Sequence, residues 1–221
     1  MSDGYESGER RPIAARAWKF SILTAHWLAR NGVSPNAISV AGMISGVLAG
    51  ICFAATSHLS AFDRLLWFGG AALVQLRLLA NMLDGMVAIE SHRASPIGEL
   101  FNEVPDRISD CATLIGLGFA SNSNLLLGFV AALTALFTAY VRTVGKAAGA
   151  HQDFCGPMAK QQRMFLVTVV ALLCAVSPRK WQWIADVSIL EWVLEIIIIG
   201  GAWTAIRRLV RVARALRSKQ P

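Results

Sequence analysis

Polar residues that could bind a charged ligand recur at helical spacing within one apolar stretch of the chain. Asn81, Asp84, Gly85 and Ala88 lie at positions i, i+3, i+4 and i+7, which places them on one face of a helix. Arg77 lies on the same face, one turn before Asn81. Because ionisable side chains are costly inside a membrane and usually serve a function there, this face is a candidate functional surface.

A second polar face follows along the chain. Gly98, Asn102 and Asp106 are spaced by four residues and share one side of a helix. Carboxylate and amide oxygens are ligands that Mg²⁺ accepts, together with the phosphates of a substrate. Two such faces joined by a short loop therefore predict a metal site, and the small residues Gly85 and Gly98 would allow close approach of a helix or a nucleotide.

The elements expected to position these faces are membrane-spanning helices. The run from Ala37 to Ser57 is long enough to cross a bilayer, which takes about 20 residues, and Ser34 and Pro35 are typical of a helix cap and first turn. The same pattern predicts five further spans, at about 65–88, 98–120, 125–142, 164–176 and 187–206. The expected fold is all-α and integral to the membrane, with six transmembrane helices.

The N-terminal part is expected to lie outside the bilayer core. Trp18, Phe20 and Trp27 alternate with cationic residues, which favours an amphipathic helix lying in the interface. The predicted organisation is a disordered N-terminus at 1–11, an interfacial amphipathic helix at 12–33, a six-span domain at 34–210 and a basic tail at 211–221.

Composition supports a membrane protein. Hydrophobic residues make up 55% of the chain, and its formal net charge is +7. The cationic residues flank apolar runs, so we expect them to contact anionic lipid head groups and predict no nucleic-acid partner. The C-terminal cations assigned to this lipid contact are Arg207, Arg208, Arg211, Arg214, Arg217 and Lys219.

The distribution of cationic residues also predicts the topology. If both termini and the loops at 89–97 and 142–163 are cytoplasmic, 18 of the 21 Lys and Arg residues belong to the cytoplasmic half. Arg64, Arg179 and Lys180 fall on the opposite side. This asymmetry follows the positive-inside rule and places both termini and the polar faces at the cytoplasmic side, in a bacterial inner membrane.

The two polar faces carry a resemblance to the CDP-alcohol phosphatidyltransferase family. That family has the signature D-x2-D-G-x2-A-R-x8-G-x3-D-x3-D. The corresponding residues here keep the spacing throughout and match at five of the eight positions: Asn81, Asp84, Gly85, Ala88, Ile89, Gly98, Asn102 and Asp106. The pair Pro35-Asn36 at the first span and the segment Tyr140-Val141-Arg142 are also similar to the family.

Three signature positions differ from the family. Its first and third aspartates are replaced by Asn81 and Asn102, and its arginine by Ile89. The resemblance implies a metal site of Asn81, Asp84, Asn102 and Asp106, but the two asparagines lower its formal charge from minus four to minus two. We therefore expect Mg²⁺ or Mn²⁺ as the cofactor, with one ion rather than two. Nearby carboxylates could substitute for the missing aspartates, namely Glu90, Glu99, Glu103 and Asp110. Arg77 is an alternative source of positive charge near the pyrophosphate.

The resemblance implies transfer of a phosphatidyl group from CDP-diacylglycerol to an alcohol, with release of CMP, in phospholipid synthesis. Asp106 would be the catalytic base that takes the proton of the acceptor hydroxyl. The residues assigned to the nucleotide are Asn36, Arg77, Asn81, Asp84, Gly85, Ala88 and Gly98. Family analogy also predicts a homodimer.

A second basic group is assigned to the acceptor. Arg142, Lys146, Lys160 and Arg163 lie where related enzymes hold a phosphorylated acceptor, which favours glycerol 3-phosphate or another phosphorylated polyol. The positive-inside rule alone predicts cations in this region equally well, so both explanations stay open.

Several alternatives remain at the level of sequence. Asn81 and Asn102 are also compatible with hydrogen bonds between helices, and Arg77 with a structural ion pair. A family member that lost turnover with its two aspartates, and now binds lipid or nucleotide, is the main rival to an enzyme. A small transporter is a third reading, but the polar residues gather at one end of the spans rather than along them.

Overall fold

The computed structural model describes residues 18–91, 96–151 and 154–218. These ranges form seven α-helices. The helices are α1 Lys19–Arg30, α2 Pro35–Ala55, α3 Asp63–Glu90, α4 Pro96–Phe119, α5 Leu125–Ala147, α6 Lys160–Val176 and α7 Ile189–Arg217. The predicted disordered segment 1–11, the start of the predicted interfacial helix at 12–17 and residues 219–221 of the predicted tail lie outside the described residues.

Helix starts follow local chemistry. The Ser34 hydroxyl accepts a hydrogen bond from the backbone N–H of Ala37 at 3.2 Å, and Pro35 occupies the first turn of α2, as the sequence predicts. The Asn124 side chain accepts from the N–H groups of Leu126 and Leu127 and caps α5. These side chains satisfy backbone donors that have no partner within a helix.

Four of these helices are long and apolar enough to cross a membrane, namely α2, α5, α7 and α3 together with the short turn before it. Helix α4 carries several charged residues in its first half, and α6 has 17 residues. Large apolar side chains such as Leu126, Val176 and Ile199 are about 70% exposed on the helix surfaces, where lipid would cover them. The predicted all-α membrane class is confirmed in this coarser form.

A small hairpin was not predicted from the sequence. Strands β1 (Trp183–Ile184) and β2 (Val187–Ser188) pair antiparallel ahead of α7. Asp186 and Ala185, which join the strands, both have positive φ angles. Two-residue strands carry almost no alternation of apolar and polar residues, so sequence periodicity cannot reveal them.

Helix α2 forms the centre of the bundle because glycines let its neighbours approach closely. Ser39, Gly42, Gly46 and Gly50 lie on one face of α2, and α3 and α4 both pack mainly against this helix. A Cβ atom at Gly50 would collide with the backbone carbonyl of Ala112 in α4. Close backbone packing of this kind is typical of helices within membranes.

Arg208 corrects one expectation for the basic C-terminal residues. Its side chain is buried rather than placed at a lipid surface. The guanidinium donates to the carbonyl of Cys155 at 2.9 Å and to the carbonyl of Thr138 at 3.0 Å. Arg208 therefore joins α7 to α5 and to the segment before α6, a role that the run of C-terminal cations did not reveal.

Substitution Gly50→Ala is expected to destabilise the protein by about 1–3 kcal/mol, because the added methyl group forces α2 away from α4. Gly69→Ala in α3 is the matched control, since nothing lies within 4 Å of its Cβ position. The free energy of unfolding in mixed detergent micelles measures both. Equal stability of the two variants would contradict the close α2–α4 packing.

Candidate active site

Asp84 is a buried carboxylate on α3 that faces α2. Its Oδ2 atom accepts a hydrogen bond from the Ser39 hydroxyl at 2.6 Å, and its Oδ1 atom accepts from the backbone N–H of Gly85 at 2.5 Å. One turn earlier, the buried Oδ1 atom of Asn81 has no hydrogen-bond partner within the described residues. A buried polar atom without a partner is rare in proteins and is expected where a ligand, ion or water binds.

Arg77 lies deeper on the same face of α3 and is almost fully buried. Its Nε atom donates to the Ser109 hydroxyl at 2.8 Å, and its Nη2 atom forms an ion pair with Asp106. The Nη1 atom lacks a hydrogen-bond partner among the described residues, and a Cβ atom at Gly42 would lie 3.0 Å from it. Glycine at position 42 therefore makes room for the guanidinium.

Asp106 on α4 is surrounded by cations from three different parts of the chain. Besides Arg77, the Lys160 ammonium donates to its Oδ1 atom at 2.7 Å, and Arg107 lies 3.6 Å from its Oδ2 atom. The side chain of Asp106 is 10% exposed and that of Lys160 is 13% exposed. Asp106 is thus held as an ion-paired carboxylate at the junction of α3, α4 and the start of α6.

Asp110, one turn after Asp106, continues this arrangement. Its Oδ2 atom accepts a hydrogen bond from Arg163 at 3.0 Å, and Lys160 lies 3.9 Å from its Oδ1 atom. Arg163 also donates to the carbonyl of Met158. The carboxylate–cation cluster is formed by six residues: Arg77, Asp84, Asp106, Asp110, Lys160 and Arg163.

Arg142 forms a separate pair beside this cluster. Its Nη2 atom donates to both carboxylate oxygens of Glu103 at 2.6 Å, and its guanidinium lies over the Phe154 ring, 5.4 Å from the ring centre. Lys146 lies one turn further along α5 and is partly buried. The predicted acceptor residues are therefore split, with Lys160 and Arg163 bound to carboxylates of the cluster and Arg142 bound to Glu103.

The remaining predicted residues lie at the same end of the bundle. Asn36 is in the first turn of α2, and Gly98 is in the first turn of α4. Gly85 and Ala88 lie in the last turns of α3 and are partly buried. Asn36 and Asn102 form no hydrogen bond with the cluster within the described residues, so their predicted roles stay predictions.

Sequence reasoning assigned no role to Ser39 and Ser109, which bind Asp84 and Arg77. Glu103, expected only as a substitute metal ligand, instead binds Arg142. Asp110 shares a helix face with Asp106, so its position was accessible from the spacing of four residues. The pairing with Arg163 was not accessible, because 53 residues separate the two partners.

The chemistry of these residues bears on metal binding. Asp84 and Asn81 offer oxygens that are not paired with a cation, and the Asn81 oxygen lacks a partner within the described part of the chain. Asp106 offers oxygens that already contact Arg77 and Lys160. The described residues contain no group of three or more His, Cys, Asp or Glu side chains arranged to hold a metal. The oxygens of Asp84 and Asn81 are therefore suited to a divalent cation, whereas those of Asp106 are already in contact with side-chain cations.

No family model matches the chain. Among curated relatives, the inner membrane protein YnbA of Escherichia coli is 26% identical over 84% of this chain and 87% of its own length. Phosphatidylinositol phosphate synthase of Mycolicibacterium smegmatis is 26% identical over 92% of this chain and 88% of its own length.

Solved structures share the fold. Phosphatidylinositol phosphate synthase of Mycobacterium tuberculosis with CDP-DAG bound has a TM-score of 0.73 and 21% identity, over 92% of this chain and 98% of that chain. The same enzyme in complex with manganese and citrate also gives a TM-score of 0.73, over 91% of this chain and 92% of that chain.

Together, these comparisons support the family resemblance that the signature spacing indicates. Several of the relatives are named phosphatidylinositol phosphate synthases, which supports the predicted enzyme class, a CDP-alcohol phosphatidyltransferase of phospholipid synthesis. The similarity to an inner membrane protein and the four apolar helices also confirm that the protein is integral to a membrane.

Removal of one partner from the Arg163–Asp110 pair is expected to be costly, because both side chains are 3% exposed. Arg163→Met should lower the free energy of unfolding by about 3–5 kcal/mol, because the buried Asp110 carboxylate loses its hydrogen-bonded guanidinium. The double variant Arg163→Met with Asp110→Asn should recover part of that loss. The control is Arg179→Met, whose exposed pair with Asp63 contributes about 1 kcal/mol or less. A double variant less stable than Arg163→Met would contradict this explanation.

Proposed function

We propose that the protein transfers the phosphatidyl group of CDP-diacylglycerol to the hydroxyl of a phosphorylated polyol and releases CMP. The observation that carries this proposal is the position of Asp84 and Asp106. They are buried at the signature spacing on α3 and α4, and Arg77 and Lys160 contact Asp106. A buried set of opposite charges at one end of a helical bundle suits a nucleotide diphosphate better than a neutral lipid.

The proposed acceptor is an inositol phosphate. The named synthases among the relatives are phosphatidylinositol phosphate synthases of actinobacteria and an archaetidylinositol phosphate synthase. Arg142 and Lys146, on the cytoplasmic end of α5, supply cations suited to the phosphate of such an acceptor. Glycerol 3-phosphate carries the same phosphate chemistry and is the second compound to compare.

In the proposed reaction, the acceptor oxygen attacks the phosphorus that bears diacylglycerol. A new P–O bond forms, the P–O bond to CMP breaks, and Asp106 receives the proton of the hydroxyl. The ion pairs with Arg77 and Lys160 hold the Asp106 carboxylate in place. A divalent cation, when bound by Asp84 and Asn81, supplies positive charge that stabilises the departing CMP.

The membrane arrangement that we propose has six spans, α2 to α7, with both termini and the cluster on the cytoplasmic side. Arg77, Lys160 and Arg163 lie at one end of the bundle, while Arg64, Arg179 and Lys180 lie at the other, in agreement with the positive-inside rule. Trp18, Phe20 and Trp27 are each more than 60% exposed, which suits a helix α1 lying in the interface. The proposed domain organisation is that of the sequence analysis, and a homodimer is proposed with it.

A protein that binds CDP-diacylglycerol without turnover is the second candidate. Two observations favour it. Asn81 and Asn102 replace two signature aspartates, and the Asp106 carboxylate is ion-paired with Arg77 and Lys160. The release of CMP separates the two candidates, because binding alone leaves the nucleotide attached to the lipid.

Asp106→Asn is expected to lower the rate of CMP release from CDP-diacylglycerol by about 10²–10⁴-fold, because the proton acceptor is lost. The assay uses purified protein in mixed micelles with inositol phosphate, glycerol 3-phosphate and unphosphorylated inositol as acceptors. Asp63→Asn is the matched control, since Asp63 is at the opposite end of α3. Undiminished CMP release by Asp106→Asn would refute the base assignment.

Overexpression of the chain is expected to raise one phospholipid in cell extracts, with the head group of the true acceptor. The Asp84→Ala variant should not raise it, because the carboxylate proposed to bind the divalent cation is removed. Mass spectrometry of total lipids provides the measurement. If wild type and variant both leave the lipids unchanged, and CMP is not released with any acceptor, the binding protein is the better description.

A further inference from the structure

The carboxylate–cation cluster carries no excess of negative charge that a metal ion would have to neutralise. Its three carboxylates, Asp84, Asp106 and Asp110, are matched by Arg77, Lys160 and Arg163, and Arg107, 3.6 Å from Asp106, pairs with Glu103 as well. Two divalent cations would add four positive charges to this set. Since like charges in a poorly solvated site repel strongly, the cluster as built opposes a second metal ion.

Two side-chain cations contact the carboxylate at which the second polar face is expected to bind a metal. Asp106 supplies the last carboxylate of the signature, and its Oδ1 atom is contacted by both Arg77 and Lys160. Arg77 and Lys160 also act electrostatically on Asp84. Of the two carboxylates at which the sequence predicts metal binding, Asp106 is thus in direct contact with both cations, whereas Asp84 is hydrogen-bonded to Ser39 and to the backbone of Gly85.

Arg77 retains capacity for a further acceptor. Its Nε and Nη2 atoms are engaged by Ser109 and Asp106, but the buried Nη1 atom has no acceptor within the described residues. A guanidinium presents several donors in a fixed plane and suits phosphate oxygens, which accept from two donors at once. The neutral side chains of Asn81 and Asn102 add no negative charge that would compete with a phosphate for this donor.

We propose that Arg77 and Lys160 replace one of two divalent cations at this site, and that they hold the diphosphate of the nucleotide directly. This inference rests on the proposed function for the identity of the nucleotide. The site then binds one divalent cation, beside Asp84 and Asn81, and retains much of its affinity for a nucleotide diphosphate without any metal. Arg77 fixes the position of Asp106 as well, so it is both a binding and a positioning residue.

The test uses the full chain in detergent micelles and CDP as the probe. Calorimetry measures CDP binding in Mg²⁺ and in excess EDTA, and electron paramagnetic resonance counts bound Mn²⁺ in the presence of CDP. For the wild type we expect one Mn²⁺ per chain, and a loss of CDP affinity in EDTA of about tenfold or less. Arg77→Met should lose about tenfold or more of its CDP affinity in EDTA, since a charged donor to the phosphate is removed.

Two further variants separate the proposal from a folding defect. Arg77→Lys keeps the charge and should retain more CDP affinity in EDTA than Arg77→Met. Arg179→Met, at the far end of the bundle, should bind CDP as the wild type does. Thermal unfolding in the same micelles shows which variants are folded, and affinities are compared among those. Should Arg77→Met not fold, Lys160→Met supplies the same comparison.

Two bound Mn²⁺ ions per chain, or complete loss of CDP binding by the wild type in EDTA, would overturn the proposal. Unchanged CDP affinity in EDTA for both folded Met variants would overturn it too. These results are independent of turnover. CDP binding with one Mn²⁺, combined with no CMP release for any acceptor, would reject the proposed function and leave this inference standing.

Discussion

The ion pair between Arg77 and Asp106 joins two helices that otherwise contact each other little. Helices α3 and α4 pack mainly on α2, from which Gly42, Gly46 and Gly50 remove the side chains that would separate them. The pair then spans the gap at the level of Ser109, which binds the same guanidinium. Charges buried in a membrane protein need partners, so this contact constrains the rotation of both helices about their axes.

The parts of the site that lie within one helix were predictable from the sequence, and the contacts between helices were not. The face formed by Asn81, Asp84 and Ala88 follows from helical periodicity alone, and so does the face that contains Asp106. The starts of α2 and α5 were also accessible, because Ser34, Pro35 and Asn124 are strong start signals. The end of the last helix was not, since the predicted span stops near residue 206, whereas α7 continues to Arg217. Contacts between distant segments were not. Whether the Asp106 carboxylate contacts a metal ion or a side-chain ammonium depends on the position of Lys160. That residue is 54 positions away in the sequence and is placed by the packing of α6.

The two asparagines of the signature and the cations beside Asp106 change the charge of the site in the same direction. Asn81 and Asn102 remove negative charge, and Arg77 and Lys160 add positive charge. A site with four aspartates needs positive charge from outside the chain, whereas Asn81 and Asn102 reduce that need. Arg77 and Lys160 then supply charge from within the chain at Asp106. Asparagine at two aspartate positions would by itself suggest a site that no longer binds its ligand. The burial of Arg77 and Lys160 against Asp106 instead indicates a site in which side chains provide the positive charge.

Arg208 gives the last helix an influence on this balance from a distance. Its guanidinium donates a hydrogen bond to the carbonyl of Cys155, and the Thr204 hydroxyl on the same helix accepts one from the N–H of Met158. The segment that precedes Lys160 is therefore bound to α7 at two points. The packing of α7 against α5 and against the segment before α6 therefore helps to hold the Lys160 ammonium within hydrogen-bond distance of Asp106.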